Sequence, residues 1–172
     1  VDFRLYKFPE SNTNDELRAE VRKIALHRTC GGVIVQLPLP QHLNQHYVMN
    51  VIPREKDVDV LGERALGAFY VDRNPVLPPP VGVVKSILLA PPASSFELPT
   101  SSVAIVGLGI LVGKPIAVWL MRKAKDLYLL RSVSDFSILK HADLVITGVG
   151  KPGVITPDIL KDGAGVIDFG YG

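Results

Sequence analysis

Apolar residues recur along the chain with two different periods, and these divide it into two patterned blocks. In the first, Leu17, Val21, Ile24 and Ala25 share one helical face, while Arg18, Glu20, Arg22 and Lys23 lie mostly off it. Thr13, with Glu16 three residues later, forms a capping-box signal that places the helix start. Gly32 then opens the run Val33–Leu37, β-branched at three positions and stopped by Pro38, which predicts a short buried strand. A further helix is predicted near Asn44–Val51, ending before Pro53.

The second block alternates more regularly. Strands are predicted at Val103–Val106, Leu127–Leu130, Leu144–Thr147 and Gly165–Phe169. Helical segments between them are predicted at Gly113–Lys123, Phe136–Lys140 and Pro157–Leu160. Near-continuous apolar strands alternating with helices imply a parallel sheet covered on both faces. Ten of the fourteen prolines fall between Pro38 and Pro99, so the middle reads as loops and extended connections. The fold class is therefore α/β, in two blocks: residues 1–95, holding part of an α/β unit, and residues 96–172, a parallel sheet with its helices. The boundary is placed at Pro91-Pro92-Ala93-Ser94-Ser95.

At 47% hydrophobic and 21% charged, with a net charge of +2, the composition is globular, and unclustered charge argues against nucleic-acid binding. The apolar stretch Val103–Met121 contains Lys114, Pro115 and three glycines, which argues against a membrane span. No signal peptide opens the chain, so a cytoplasmic location is the default expectation. The sequence starts at Val1 without methionine and stops after a predicted strand, so both ends are expected to be cuts through a longer protein. A single cysteine, Cys30, has no organised nucleophile context and is expected to be a small buried thiol. His42 and His46 stand one helical turn apart, but with no third ligand in view they read as a solvated face, and no metal site is expected.

Chemistry concentrates in the turn Gly107-Leu108-Gly109-Ile110-Leu111-Val112-Gly113, which joins a strand to a helix. Backbone without side chains can approach a pyrophosphate there, and a helix N-terminus favours anions. The spacing is GxGxxxG, one residue longer than the common fingerprint, and Pro115 after Lys114 excludes a P-loop. Where an NAD site places an acid at the end of the second strand, this chain has Arg131-Ser132 and no carboxylate before Asp135. A cation there attracts a 2′-phosphate, so NADP is favoured over NAD.

Four segments, in order, carry a resemblance: Gly32-Val33-Ile34-Val35-Gln36-Leu37-Pro38-Leu39-Pro40, Pro53-Arg54-Glu55-Lys56-Asp57-Val58-Asp59, Gly150-Lys151-Pro152-Gly153, and Val166-Ile167-Asp168-Phe169-Gly170. Together they closely resemble the bifunctional methylenetetrahydrofolate dehydrogenase/methenyltetrahydrofolate cyclohydrolase family, over the whole chain but only part of the family's length. The resemblance implies NADP-dependent oxidation of 5,10-methylenetetrahydrofolate and hydrolysis of the methenyl product to 10-formyltetrahydrofolate. It implies a partial N-terminal α/β substrate domain over residues 1–95, a Rossmann-like parallel-sheet NAD(P)-binding domain over 96–172, folate in the cleft between them, and a homodimer. It makes Gln36 and Asp59 the catalytic candidates. Gln36, Leu37, Pro38, Asp57 and Asp59 become the substrate-binding candidates, with Asp59 accepting two N–H donors from the aminopyrimidine edge of the pterin. The cofactor-binding candidates are Gly107, Gly109, Gly113, Lys114, Arg131, Ser132 and Gly150.

The chain departs from the family at named positions. No Tyr-x-x-x-Lys precedes Gln36; Tyr6 and Lys7 are adjacent. Val60 follows Asp59 where the family has glycine. Pro78-Pro79-Pro80-Val81 replaces Pro-Cys-Thr-Pro, and Gly107-Leu108-Gly109 replaces Gly-Arg-Ser. The family's closing proline-glycine segment is not among these 172 residues. Two other readings follow: a homologue that keeps the fold as a binding or dimerisation module without turnover, and a different two-domain NADP dehydrogenase of a small acid. The latter accounts for the glycine turn but not for QLPLP and KDVD together.

Overall fold

The computed structural model describes residues 2–90, 96–131 and 133–170. Two compact units divide at Leu77/Pro78. This lies earlier than the boundary near residue 95 expected from the proline-rich linker, because a helix within the supposed connection packs with the second unit.

The first unit is built on helices α1 (Asn14–Leu26), α2 (Gln45–Met49) and α3 (Glu63–Tyr70). α1 starts where the capping box predicts. Glu16 N–H donates to Thr13 Oγ1 at 3.3 Å, and Thr13 N–H donates to Glu16 Oε2 at 2.8 Å. Its buried positions, Leu17, Val21 and Ala25, repeat every four residues, as an amphipathic helix requires. Asn44 caps α2, accepting Tyr47 N–H at 3.1 Å. The helices α1 and α2 are joined by Tyr47 Oη–H to Asp15 Oδ1 at 2.7 Å and by the Arg18 guanidinium, 4.1 Å above the Tyr47 ring.

Residues Val33–Leu37 are not the buried strand that their composition suggests. They form one isolated parallel bridge, Val33 to Asp57, and Ile34 is 67% exposed. A ladder needs a neighbour with several free backbone groups. Here the neighbouring segment is a tight 3-10 turn at Arg54–Lys56, and Pro38 and Pro40 remove further donors. α3 lies in the stretch expected to be loop, as does α4 (Pro79–Leu89) of the second unit. Prolines misled the pattern at α4: Pro79 and Pro80 occupy its first turn, where the missing N–H has no intrahelical partner to lose.

In the second unit, β1 (Ser102–Val106), β2 (Asp126–Leu130), β3 (Leu144–Thr147) and β4 (Gly165–Asp168) form one parallel sheet of order β2-β1-β3-β4. Helix α5 (Gly113–Leu120) connects β1 to β2, and the other two connections carry 3-10 turns at Phe136–His141 and Pro157–Ile159. All residues of β1 and β3 are buried, whereas the edge strands β2 and β4 are partly exposed. That is why the central strands read as unbroken apolar runs. On one face Ala104, Val106, Val145, Leu139 and Ala142 form a core closed by Phe136, Ile155 and Ile159. Successive strands lie on opposite sides of β1, so the order reverses there and a crevice opens at the carboxyl ends of β1 and β3.

Candidate functional site

Around Asp59 the chain is held by three anchors. Lys56 donates from Nζ to Ala25 O at 2.7 Å and His27 O at 3.3 Å, satisfying carbonyls at the C-terminal end of α1. Its own carbonyl accepts Val33 N–H at 2.8 Å, which ties the Gln36 segment to the Asp57–Asp59 segment. Asp57 is 3% exposed. Its Oδ2 accepts Leu61 N–H at 3.0 Å and Gly62 N–H at 2.7 Å. This corrects its candidacy as a substrate ligand: the carboxylate is engaged in shaping the loop that leads into α3.

Asp59, two residues on, is half-buried, and burial pushes its carboxyl above the usual range, with the nearby Asp57 charge adding to the rise. Val60 adopts φ +56°, the left-handed region that β-branched residues strongly disfavour. Its side chain is 1% exposed, beside Leu61 at 3%, so the isopropyl group lies in the core of this unit. The replacement of glycine therefore strains the backbone without adding an exposed obstacle beside Asp59. Gln36 is exposed and donates from Nε2 to Leu37 O at 3.0 Å; Leu37 is half-buried and Pro38 exposed. The Leu37–Pro38 peptide bond is cis.

In the second unit, the glycine turn is packed closely at its two ends. Gly107 has φ +91°, and a Cβ there would lie 2.9 Å from Val149 Cγ1. At Gly113 a Cβ would fall 1.8 Å from Gly107 O, so the first residue of α5 sits directly against the turn. Gly109 has open space around it. Lys114 N–H donates to Gly109 O at 3.0 Å and Pro115 has no N–H, so Lys114 offers an anion its exposed ammonium rather than its backbone.

At the carboxyl end of β2, Arg131 is exposed, and among the described residues its guanidinium has no carboxylate partner. Asp135, the first acid after the strand, accepts from Ser137 N–H at 2.9 Å and from the Ser137 hydroxyl at 2.8 Å, which holds its carboxyl below the usual range. It is committed to capping its own turn. Ser132 lies outside the described residues. Gly150 follows β3 with φ +31°.

The remaining candidates carry less. His42 Nε2 pairs with Asn12 O at 3.1 Å. Cys30 is half-buried rather than buried, with its Sγ 3.5 Å from Gly32 O. Among the described residues, no group of three or more His, Cys, Asp or Glu side chains could hold a metal ion. No described helix is long and apolar enough to cross a membrane. What the sequence reading lacked was Lys56 as an anchor and Thr147 as a buried hydroxyl in the wall of a cavity. Lys56 stood inside a recognised motif; Thr147 gave no signal beyond being the one polar residue of its strand.

Comparison with known proteins gives the context. Residues 1–59 match the family described as tetrahydrofolate dehydrogenase/cyclohydrolase, catalytic domain, and residues 80–172 match that of its NAD(P)-binding domain. The second match begins one residue into α4, in keeping with the division at Leu77/Pro78. The bifunctional protein FolD of Staphylococcus aureus (strain Newman) is 31% identical over 164 residues, 94% of this chain and 56% of that protein. The bifunctional enzyme FolD of Campylobacter jejuni superposes with a TM-score of 0.86 at 27% identity, over 95% of this chain and 58% of that one. The Trypanosoma brucei enzyme, solved with NADP cofactor and inhibitor, gives 0.85 at 29% identity, over 94% of this chain and 56% of that one. The chain thus spans little more than half the length of the relatives it matches. With both of its units matched in order, this chain belongs to the tetrahydrofolate dehydrogenase/cyclohydrolase family.

Proposed function

We propose that this chain carries the folate-facing and cofactor-facing residues of an NADP-dependent 5,10-methylenetetrahydrofolate dehydrogenase with methenyltetrahydrofolate cyclohydrolase activity. The observations that carry the reading are a half-buried Asp59 on one unit and, on the other, a glycine turn and an Arg131 with no carboxylate partner among the described residues. Asp59 supplies two acceptor oxygens for the parallel N–H donors of the pterin's aminopyrimidine edge. Gln36 presents an amide beside the reacting carbon, able to donate to the folate or accept from it. Leu37 and Pro38 supply the apolar wall next to it.

The residues present fit NADP. Gly107 and Gly113 form a turn closed to any side chain, Lys114 and Arg131 supply positive charge, and Asp135 is engaged elsewhere, so no acid opposes a 2′-phosphate. When bound, NADP⁺ would supply the acceptor for the hydride of the methylene carbon. Water then adds to the resulting methenyl bridge, and loss of a proton with opening of the ring gives the 10-formyl product. The family's Tyr-x-x-x-Lys pair is not among these 172 residues, and no described residue is assigned to proton handling in the second step. A cytoplasmic homodimer belongs to the same reading, supported by apolar residues exposed on the edge strands: Leu129 at 43% and Val166 at 45%. Light scattering checks it against the 18.7 kDa monomer.

Calorimetric titration with NADP⁺ and, separately, with tetrahydrofolate tests the assignment. Asp59→Ala is expected to weaken tetrahydrofolate binding at least tenfold, the loss of a charge-assisted bidentate contact, and to leave NADP⁺ affinity unchanged. A parallel loss of both ligands would overturn the separation of the two sites.

A further inference from the structure

A cavity of about 160 Å³ lies at the carboxyl ends of β3 and β4, bounded by the Val149–Ile155 loop and by Asp168 and Gly170. Thr147, the last residue of β3, is part of its wall and is 3% exposed. Its Oγ1 is one of two buried side-chain polar atoms that lack a hydrogen-bond partner among the described residues. The backbone around it is satisfied, since Thr147 O accepts Phe169 N–H at 2.8 Å and Gly148 N–H donates to Val106 O at 3.1 Å. A buried hydroxyl without a partner is costly to keep, and its persistence calls for a partner that arrives with a ligand.

The topology says which part of a ligand reaches this cavity. The sheet order reverses at β1, so a dinucleotide crosses the crevice with one half over β2 and the other over β3 and β4. The half over β2 meets Arg131 and is the 2′-phosphate half; the half over β3 and β4 is the nicotinamide. Its carboxamide carries an NH₂ donor and a carbonyl acceptor, and a hydroxyl can answer either. Asp168 Oδ1 accepts Gly170 N–H at 2.7 Å, which leaves acceptor capacity on the second oxygen at the same cavity. Gly150 and Gly153, at φ +31° and +74°, give the bounding loop the backbone freedom to admit a ring.

We propose that Thr147 is a specificity-determining residue whose hydroxyl oxygen accepts a hydrogen bond from the NH₂ of the nicotinamide carboxamide in the cavity between the ends of β3 and β4. The inference rests on the NADP reading above. Three ligands separate the two: NADP⁺, its 3-acetylpyridine analogue, in which a methyl group replaces the carboxamide NH₂, and adenosine 2′,5′-bisphosphate, which lacks the nicotinamide half. Each is titrated into the full chain and into Thr147→Val, which keeps shape and removes the hydroxyl. The wild-type chain is expected to prefer NADP⁺ over the analogue about fivefold, the worth of one neutral hydrogen bond. Thr147→Val is expected to bind both equally, and both proteins to bind the bisphosphate alike. A preference retained in Thr147→Val overturns the proposal and points to a buried water as the partner. If that variant does not fold, a wild-type chain without preference between NADP⁺ and its analogue overturns it equally. A folded wild-type chain that binds neither NADP⁺ nor the bisphosphate refutes the NADP reading itself and this inference with it.

Discussion

Val60 sets two energies against each other at one position. Its left-handed backbone costs about 1–2 kcal/mol relative to a relaxed L-residue, while burying its side chain contributes about 1.5–3 kcal/mol. Asp57 holds it in place by accepting the N–H groups of Leu61 and Gly62 immediately beyond. Reversion to glycine relieves the strain, loses the burial and adds unfolded-chain entropy of about 0.4–1 kcal/mol. Val60→Gly is therefore expected to destabilise by about 1 kcal/mol, read as a lower urea midpoint at unchanged slope. A stabilised Val60→Gly would show that strain outweighs burial here. Asp57 and Asp59 make the same point about neighbours: two carboxylates two residues apart, one closed inside a loop by backbone donors and one without such donors among the described residues.

Among the elements, α5 is fixed by where it begins. Gly113 touches the backbone of Gly107 so closely that no side chain fits, and the obstacle is a main-chain carbonyl that cannot swing aside. Gly113→Ala is expected to destabilise by about 3 kcal/mol or more, at the top of the range for overpacking. Gly109→Ala, with open space around it, serves as the control in the same urea denaturation and is expected to stay within about 1 kcal/mol of wild type. Equal losses at the two positions would mean that the turn tolerates neither side chain and that contact with α5 is not the cause. The end of β2 carries the remaining test. Arg131→Ala is expected to reduce the preference for NADP⁺ over NAD⁺ about tenfold, as loss of a charge-assisted contact to the 2′-phosphate requires. An unchanged ratio in competition titrations would mean that Arg131 serves solvent alone.

Across the whole molecule, the candidate ligands fall on different compact units, folate on residues 1–77 and NADP on 78–172. This is why Asp59→Ala is expected to separate their affinities. Much of this was legible in the chain itself. Period, capping box and glycine spacing were enough for α1, for the four strands of the sheet and for the turn before α5. These depend on neighbours within a few residues, and on central strands buried on both faces that must be apolar throughout. Local pattern failed where a segment's state depends on what lies beside it. Val33–Leu37 is apolar enough for a strand but finds one bridging residue instead of a ladder, and the prolines before α4 look like loop until the helix they open is docked. Motif alone likewise proposed Asp57 and Asp59 as equals. Only the folded chain, by turning backbone N–H groups onto one carboxylate and burying the Thr147 hydroxyl without a partner among the described residues, separated groups that hold the structure from those proposed to meet a ligand.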